Sequence, residues 1–168
     1  MKRFLFLILL FYAAQVMAQD EPLKKAFGIG AELSIPNVSV YSIGVTVSGK
    51  GEFPVSDKVA ITATAAYSAF FYKSNLFGNS KTPAAARFIP LKAGVKYYIN
   101  PGIYFEGELG TAIEMNYLKQ DLFAFSIGPG FLIPVNEKHS VDFGRRFEKW
   151  SQHQVQQTAI RFAYRFGW

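Results

Sequence analysis

The fold class this sequence predicts is all-β, an eight-stranded antiparallel up-and-down transmembrane β-barrel, and three observations predict it. An export signal opens the chain. The residues after it alternate apolar and polar with a period of two, and turn signals cut that alternation into about eight segments, an even number as in bacterial membrane barrels. Composition agrees: of 168 residues, 50% are hydrophobic, 17% aromatic and only 18% charged, with a mean hydropathy of +0.11. That balance is richer in aromatics and poorer in charge than a usual soluble domain. The length fits one domain.

Residues 1–18 read as a cleaved signal peptide. Lys2 and Arg3 form its positive end, 4–14 its apolar stretch, and Val16-Met17-Ala18 a small-residue cleavage site before Gln19. The apolar run falls short of the roughly 20 residues that span a bilayer as a helix. Removing Lys2 and Arg3 lowers the formal charge from +6 to +4, since no acid precedes Asp20. Such mild basicity makes no case for nucleic acid. Residues 19–25 form a short polar leader and 26–168 the barrel. Cysteine is absent, which excludes disulfides, thiol catalysis and cysteine metal sites.

The strands follow in order. Residues 26–35 carry Gly28, Gly30, Glu32 and Ser34 on one face, 41–53 carry Gly44, Ser48, Lys50 and Glu52, and 58–71 carry Ala60, Thr62 and Ala66. In 88–99, Ile89, Leu91, Ala93, Val95 and Tyr97 oppose Lys92, Gly94 and Lys96; in 102–116, Ile103, Phe105, Leu109, Ile113 and Met115 oppose Tyr104, Glu106, Glu108, Glu114 and Asn116. Residues 122–134 place Ser126, Gly128 and Gly130 on the polar face. Residues 139–150 set Val141, Phe143 and Phe147 against Asp142, Arg146 and Glu148, and 154–168 set Ile160, Phe162, Tyr164, Phe166 and Trp168 against Arg161 and Arg165. A helix would mix these sets. The connections 54–58, 100–102 and 134–140 are tight. They alternate with 36–40, the long 73–87, 117–121 and 151–154, so every second connection shares a rim.

Periodicity alone does not say which face points inward. A secreted soluble lipocalin-like barrel that binds an apolar ligand would place the greasy face inside, and a membrane barrel inverts that. Three features favour inversion. The polar face holds many small residues, as a narrow lumen requires. It holds both signs in near balance, Glu32, Glu52, Glu106, Glu108, Glu114, Asp142 and Glu148 against Lys50, Lys92, Lys96, Arg146, Arg161 and Arg165, so an interior charge network can satisfy itself. Aromatic residues gather at strand ends, Phe70, Phe71, Tyr72, Tyr117, Phe123 and Trp150 toward one rim and Phe27, Phe53, Tyr97, Tyr98, Phe166 and Trp168 toward the other, where they are expected to form girdles at the two water interfaces.

With the ending "FAYRFGW" and the hairpin "HSVDFGRRFEKW" to "AIRFAYRFGW", the chain resembles the small bacterial outer-membrane β-barrel family over essentially its mature length. The resemblance implies a place in the bacterial outer membrane, with chain ends and tight turns in the periplasm and the loops 36–40, 73–87, 117–121 and 151–154 outside. It also implies an assembly signal comprising Ile160, Phe162, Tyr164, Phe166 and Trp168, read by the barrel-assembly machinery; the family's usual last residue is phenylalanine. The partners it implies are outer-membrane lipid and lipopolysaccharide. The residues assign no extracellular ligand.

A lumen filled by its own side chains predicts a structural or surface-interaction role, with a narrow ion channel as an alternative. A lipid A-modifying enzyme is the other, with Glu148, Ser151 and His153 as candidates. Their order and spacing do not match the deacylase pattern, so no catalytic residue is assigned. His139 falls on the periplasmic side. Arg145 shares its parity with Val141, Phe143 and Phe147, which places it on the lipid face unless a bulge near Gly144 shifts the register. On that face Arg145 and Lys149 form a candidate contact for a lipopolysaccharide phosphate. Lys73, Lys81 and Arg87 make the long loop basic, suited to anionic sugars or lipid phosphates. "GIG" (28–30) and "GPG" (128–130) lack the following helix of a phosphate loop. No cofactor or metal is expected.

Overall fold

The computed structural model describes residues 23–37, 40–74, 83–151 and 155–168. The signal peptide, most of the leader, Lys81 and His153 lie outside them. Eight strands close into one barrel: β1 (Ala26–Pro36), β2 (Tyr41–Ser56), β3 (Val59–Tyr72), β4 (Ala86–Asn100), β5 (Ile103–Glu114), β6 (Asp121–Pro134), β7 (His139–Trp150) and β8 (Gln156–Gly167). Each strand pairs antiparallel with its sequence neighbour, and β8 returns to pair with β1, Ala26 opposite Gly167 through Pro36 opposite Gln157. Closure removes the unpaired edges that an open sheet would expose. The strands run from 11 to 16 residues, beyond the roughly 9–11 that cross a bilayer when tilted.

The turns at residues 57–58, 101–102 and 135–138 lie at one end with the start of β1 and the end of β8, here the terminal end; the longer connections lie at the loop end. Strand bounds differ from the sequence expectation by a few residues. β5 stops at Glu114 instead of 116 because the Asn116 side chain leaves the ladder to clamp the neighbouring segment, accepting from Arg87 N (2.9 Å) and donating to Ala85 O (3.0 Å). The Tyr117 hydroxyl adds a bond to Ala84 O (2.6 Å).

Burial alternates along every strand, and its sense excludes the lipocalin-like alternative. Ile29, Leu33, Val47, Ile61, Leu91, Val95, Phe105, Leu109, Phe123, Ile127, Ile133, Ile160 and Phe162 point outward and are exposed, while Lys50, Lys96, Glu108, Asp142 and Glu148 are buried inside. A water-soluble protein does not expose a belt of large apolar side chains on seven of its eight strands. A bilayer supplies the missing partner for that belt.

Four aromatic residues expected in the girdles, Phe70, Tyr72, Tyr98 and Trp150, face inward instead. Phe70 and Trp150 are buried, and Tyr98 is buried at the other end. Each shares strand parity with a lumen polar residue, Ser68, Glu148 and Lys96 respectively, so the pleat directs it inside whatever its distance from the rim. Tyr72 is partly buried and packs on the same inner cluster as Phe70. Phe27, Phe53, Phe71, Tyr97, Phe123, Phe166 and Trp168 do face outward, while Tyr117 lies past the end of β5 with its ring against Tyr72. Inward glycines leave room for two of the inner rings. The Phe70 ring lies over Gly44, and the Tyr104 ring lies over Gly130, where a Cβ would collide with it.

The outward belt yields a quantitative expectation. Leu109 sits near the middle of β5 on the lipid face, and Leu109→Arg is expected to lower stability in a bilayer by about 2–4 kcal/mol. Urea unfolding of barrels folded in lipid vesicles measures this, with the exposed turn variant Glu137→Arg as the control expected to change little.

Candidate functional site

The lumen is the only place where the fold concentrates chemistry among the described residues, and ion pairs organise it. At its centre Glu108 of β5 takes Lys50 of β2 at 3.1 Å, Lys92 of β4 at 3.0 Å and Arg146 of β7 at 3.6 Å. Hydroxyls complete its shell: Thr64 of β3 donates at 2.6 Å and Ser126 of β6 at 3.0 Å. Lys50 also reaches Glu106 (2.5 Å), and Lys92 also reaches Glu148 (3.0 Å). Arg146 joins Glu148 (2.9 Å) to Glu32 on β1 (2.6 Å).

Toward the terminal end the chain of pairs continues. Arg161 of β8 lies between Glu32 (3.6 Å) and Asp142 (2.9 Å), and Lys96 lies between Asp142 (3.5 Å) and Glu52 (2.5 Å). Arg165 closes the run on Glu52 at 3.0 Å. The Tyr98 hydroxyl donates to Glu52 (2.9 Å), the Tyr104 hydroxyl donates to Asp142, and Lys96 Nζ stands 4.1 Å from the centre of the Tyr104 ring. Six acids and six bases are thus joined in one unbroken network. Counting the two hydroxyls, all eight strands contribute to it.

Glu114, grouped with these charges by its parity, stands apart. It is buried in the lumen at the loop end, and among the described residues it makes no ion pair. Between Glu114 and the network lies an aromatic layer: Tyr41, Phe70, Phe88 and Trp150 with Ala86, Ala112, Leu122, Ala124 and Val155. Phe88 and Trp150 meet at 4.8 Å and Phe70 and Trp150 at 5.5 Å between ring centres, both edge-on. Trp150 joins the two zones, since its Nε1 donates to Glu148 Oε1 at 2.6 Å. Parity along β3 and β7 carried the signal that Phe70 and Trp150 belong here.

A recess of about 20 Å³ beside Tyr104, Glu106, Arg146 and Arg161 has room for a water molecule and little more.

The remaining sequence candidates lie elsewhere. The pairing of β7 with β8 runs without a shift from His139 opposite Phe166 to Lys149 opposite Gln156, so no bulge at Gly144 turns Arg145 inward. Arg145 and Lys149 both face outward and are exposed. Ile160, Phe162, Tyr164, Phe166 and Trp168 form an exposed outward row on and just past β8. Of the candidate catalytic trio, His153 lies outside the described residues, and Glu148 and Ser151 do not meet. Glu148 points into the lumen onto Lys92, Arg146 and Trp150, whereas the Ser151 hydroxyl accepts from Phe123 N (3.0 Å) at the rim.

A closed eight-stranded barrel, greasy outside and ionic inside, is the geometry that comparison with known proteins then meets. The family model for the outer membrane protein beta-barrel domain matches residues 4–166. The chain belongs to that family. As an outer membrane protein beta-barrel domain it is an integral protein of the bacterial outer membrane. Among proteins of curated function none matches it. Solved barrels share its fold at low identity. The crystal structure of Ail, the attachment invasion locus protein of Yersinia pestis, is 14% identical, covers 87% of this chain and 100% of its own, and superposes with a TM-score of 0.60. Ail in complex with the heparin analogue sucrose octasulfate is 16% identical, covers 87% and 100%, and gives 0.52. Neisserial surface protein A is 12% identical, covers 86% and 97%, and gives 0.60.

Breaking the network from one side leaves buried negative charge in excess. Lys96→Met removes the cation shared by Glu52 and Asp142, leaving Glu52 with Arg165 and Asp142 with Arg161 and the buried network one positive charge short, and is expected to cost about 3–5 kcal/mol. The check is urea unfolding in lipid vesicles, with the exposed Lys138→Met expected to be near neutral.

Proposed function

We propose that this outer-membrane barrel acts as a closed structural and surface-interaction protein, neither a diffusion pore nor an enzyme. The observation that carries this reading is the double filling of the lumen, by ion pairs across the middle and terminal half and by packed aromatic rings toward the loop end. Ions crossing it would have to displace side chains that already satisfy one another. The loop end then faces the cell exterior and the terminal end the periplasm. On β8, the outward row of Ile160, Phe162, Tyr164, Phe166 and Trp168 serves as the assembly signal read by the barrel-assembly machinery.

A second contact is supported by the exposure of Arg145 and Lys149 on the lipid face of β7. An outward arginine in a bilayer is costly unless its guanidinium reaches the interface and an anion there. Lipopolysaccharide phosphates supply that anion in the outer leaflet, and the guanidinium can bind them with two parallel hydrogen bonds. Lys73 and Arg87 place further positive charge at the loop end, where anionic sugars would meet it; the Ail complex with a sulfated sugar analogue is a precedent in the fold.

Two measurements test these readings. In planar bilayers the purified barrel is expected to give no steady conductance, and a reproducible open level would overturn the closed-lumen reading. Arg145→Gln with Lys149→Gln is expected to reduce co-purifying lipopolysaccharide several-fold without loss of the heat-modifiable folded band.

A further inference from the structure

We infer that the loop end of the lumen carries a binding site for a primary ammonium group with a neighbouring hydroxyl, as on an amino sugar, built on Glu114 and Gln120. Glu114 is the lumen carboxylate that the ion-pair network leaves out. It is only 6% exposed, yet its Oε2 has no hydrogen-bond partner. Every other lumen acid is matched by a lysine or arginine. A carboxylate withdrawn from water without a counter-charge is unfavourable, so the position favours a cation brought from outside.

The surroundings suit a cation with hydrogens to donate. Tyr41 and Tyr72 are each within electrostatic range of Glu114 and of Tyr117. Their rings meet in sequence, Tyr41 and Tyr72 at 4.9 Å and Tyr72 and Tyr117 at 6.0 Å between centres. Aromatic faces attract an ammonium through their quadrupole. An ammonium with N–H groups also satisfies Oε2, which a fully methylated nitrogen does not.

Gln120 supplies the second half. Its backbone carbonyl accepts from Glu114 N at 3.0 Å, which fixes the two residues side by side at the base of the β5–β6 connection. Its Nε2 is likewise buried and has no hydrogen-bond partner. The site therefore offers one unmatched acceptor, which is negative, and one unmatched donor. An amino group beside a hydroxyl presents the complementary pair. Asn116 and the Tyr117 hydroxyl tie residues 84–87 to this connection, so the site is held from both sides. The aromatic layer of Phe70, Phe88 and Trp150 floors it and separates it from the charge network.

Calorimetric titration of the folded barrel in detergent tests the assignment with glucosamine, N-acetylglucosamine and n-butylammonium as probes. Glucosamine is expected to bind saturably at one site, and N-acetylglucosamine, which has the same ring without the charge, at least ten-fold more weakly. Glu114→Gln is expected to abolish glucosamine binding while keeping the heat-modifiable folded band. Gln120→Leu is expected to weaken glucosamine several-fold and leave n-butylammonium unchanged, which separates the two contacts. Absence of saturable glucosamine binding, equal binding of the acetylated sugar, or full binding by folded Glu114→Gln would each overturn the proposal.

Discussion

The structure depends on a single ion-pair network that must be complete. Twelve charged side chains form it inside a narrow lumen, and their carboxylates, ammonium and guanidinium groups have lost most of their water. Each would be strongly unfavourable alone. Together they satisfy one another, with Glu108 serving three cations and two hydroxyls at the centre. The network also does what the lipid cannot. Slipping one strand by a single residue exchanges its faces and is punished by the bilayer, but a slip of two residues keeps every apolar group outside. Only the lumen partners distinguish that second error, because they are then displaced along the barrel axis. The seam between β1 and β8 is held in this way: Glu32 and Arg161 face each other across it, while Arg146 and Asp142 on β7 grip the same two residues.

Division of the lumen into an ionic zone and an aromatic zone follows from the same need for matched charge. Where the acids and bases run out, at the level of Trp150, the cavity is filled by rings that need no partner, and the indole N–H that does need one faces back to Glu148. On the proposed closed-lumen reading, a barrel filled in this manner offers little to solutes passing through it, and its chemistry lies at its two surfaces, the lipid-facing wall and the loop end. Glu114, beyond the aromatic layer and outside the network, contributes nothing to the charge balance on which closure rests.

Much of the fold was legible because a strand has a period of exact parity and a bilayer accepts only one assignment of faces. The alternation in residues 88–99 and 102–116 states both the strand and its two sides, and the sign balance of the polar side identifies the lumen. Pairing partners were not legible. Lys50 meets Glu106 and Lys92 meets Glu148 across the bore, contacts fixed by strand stagger and tilt, which no local pattern encodes. Phe70, Tyr98 and Trp150 were misplaced for a different reason. Nearness to a strand end suggested a girdle, yet parity with Ser68, Lys96 and Glu148 pointed inward, and the pleat outranks the depth. The isolation of Glu114 was hidden too, since parity groups it with Glu106 and Glu108 and only the three-dimensional position of the rings separates it from them.

Arg145 and Arg146 show how the fold places a dipeptide in two environments. Adjacent residues of a strand must face opposite ways, so two consecutive arginines cannot share the lumen. Arg146 takes the inner position and contacts Glu32, Glu108 and Glu148. Arg145 is left on the wall between β6 and β8, opposite Ile160, and Pro129 on the facing strand has no backbone N–H to donate to the ladder there. No carboxylate among the described residues pairs with Arg145. Its long aliphatic stem can lie along the apolar wall while the guanidinium reaches toward the interface where Lys149 stands on the same face. In the proposed lipopolysaccharide contact the partner that completes such a group is an anion of the membrane, and the wall of the barrel then acts as a contact surface in its own right.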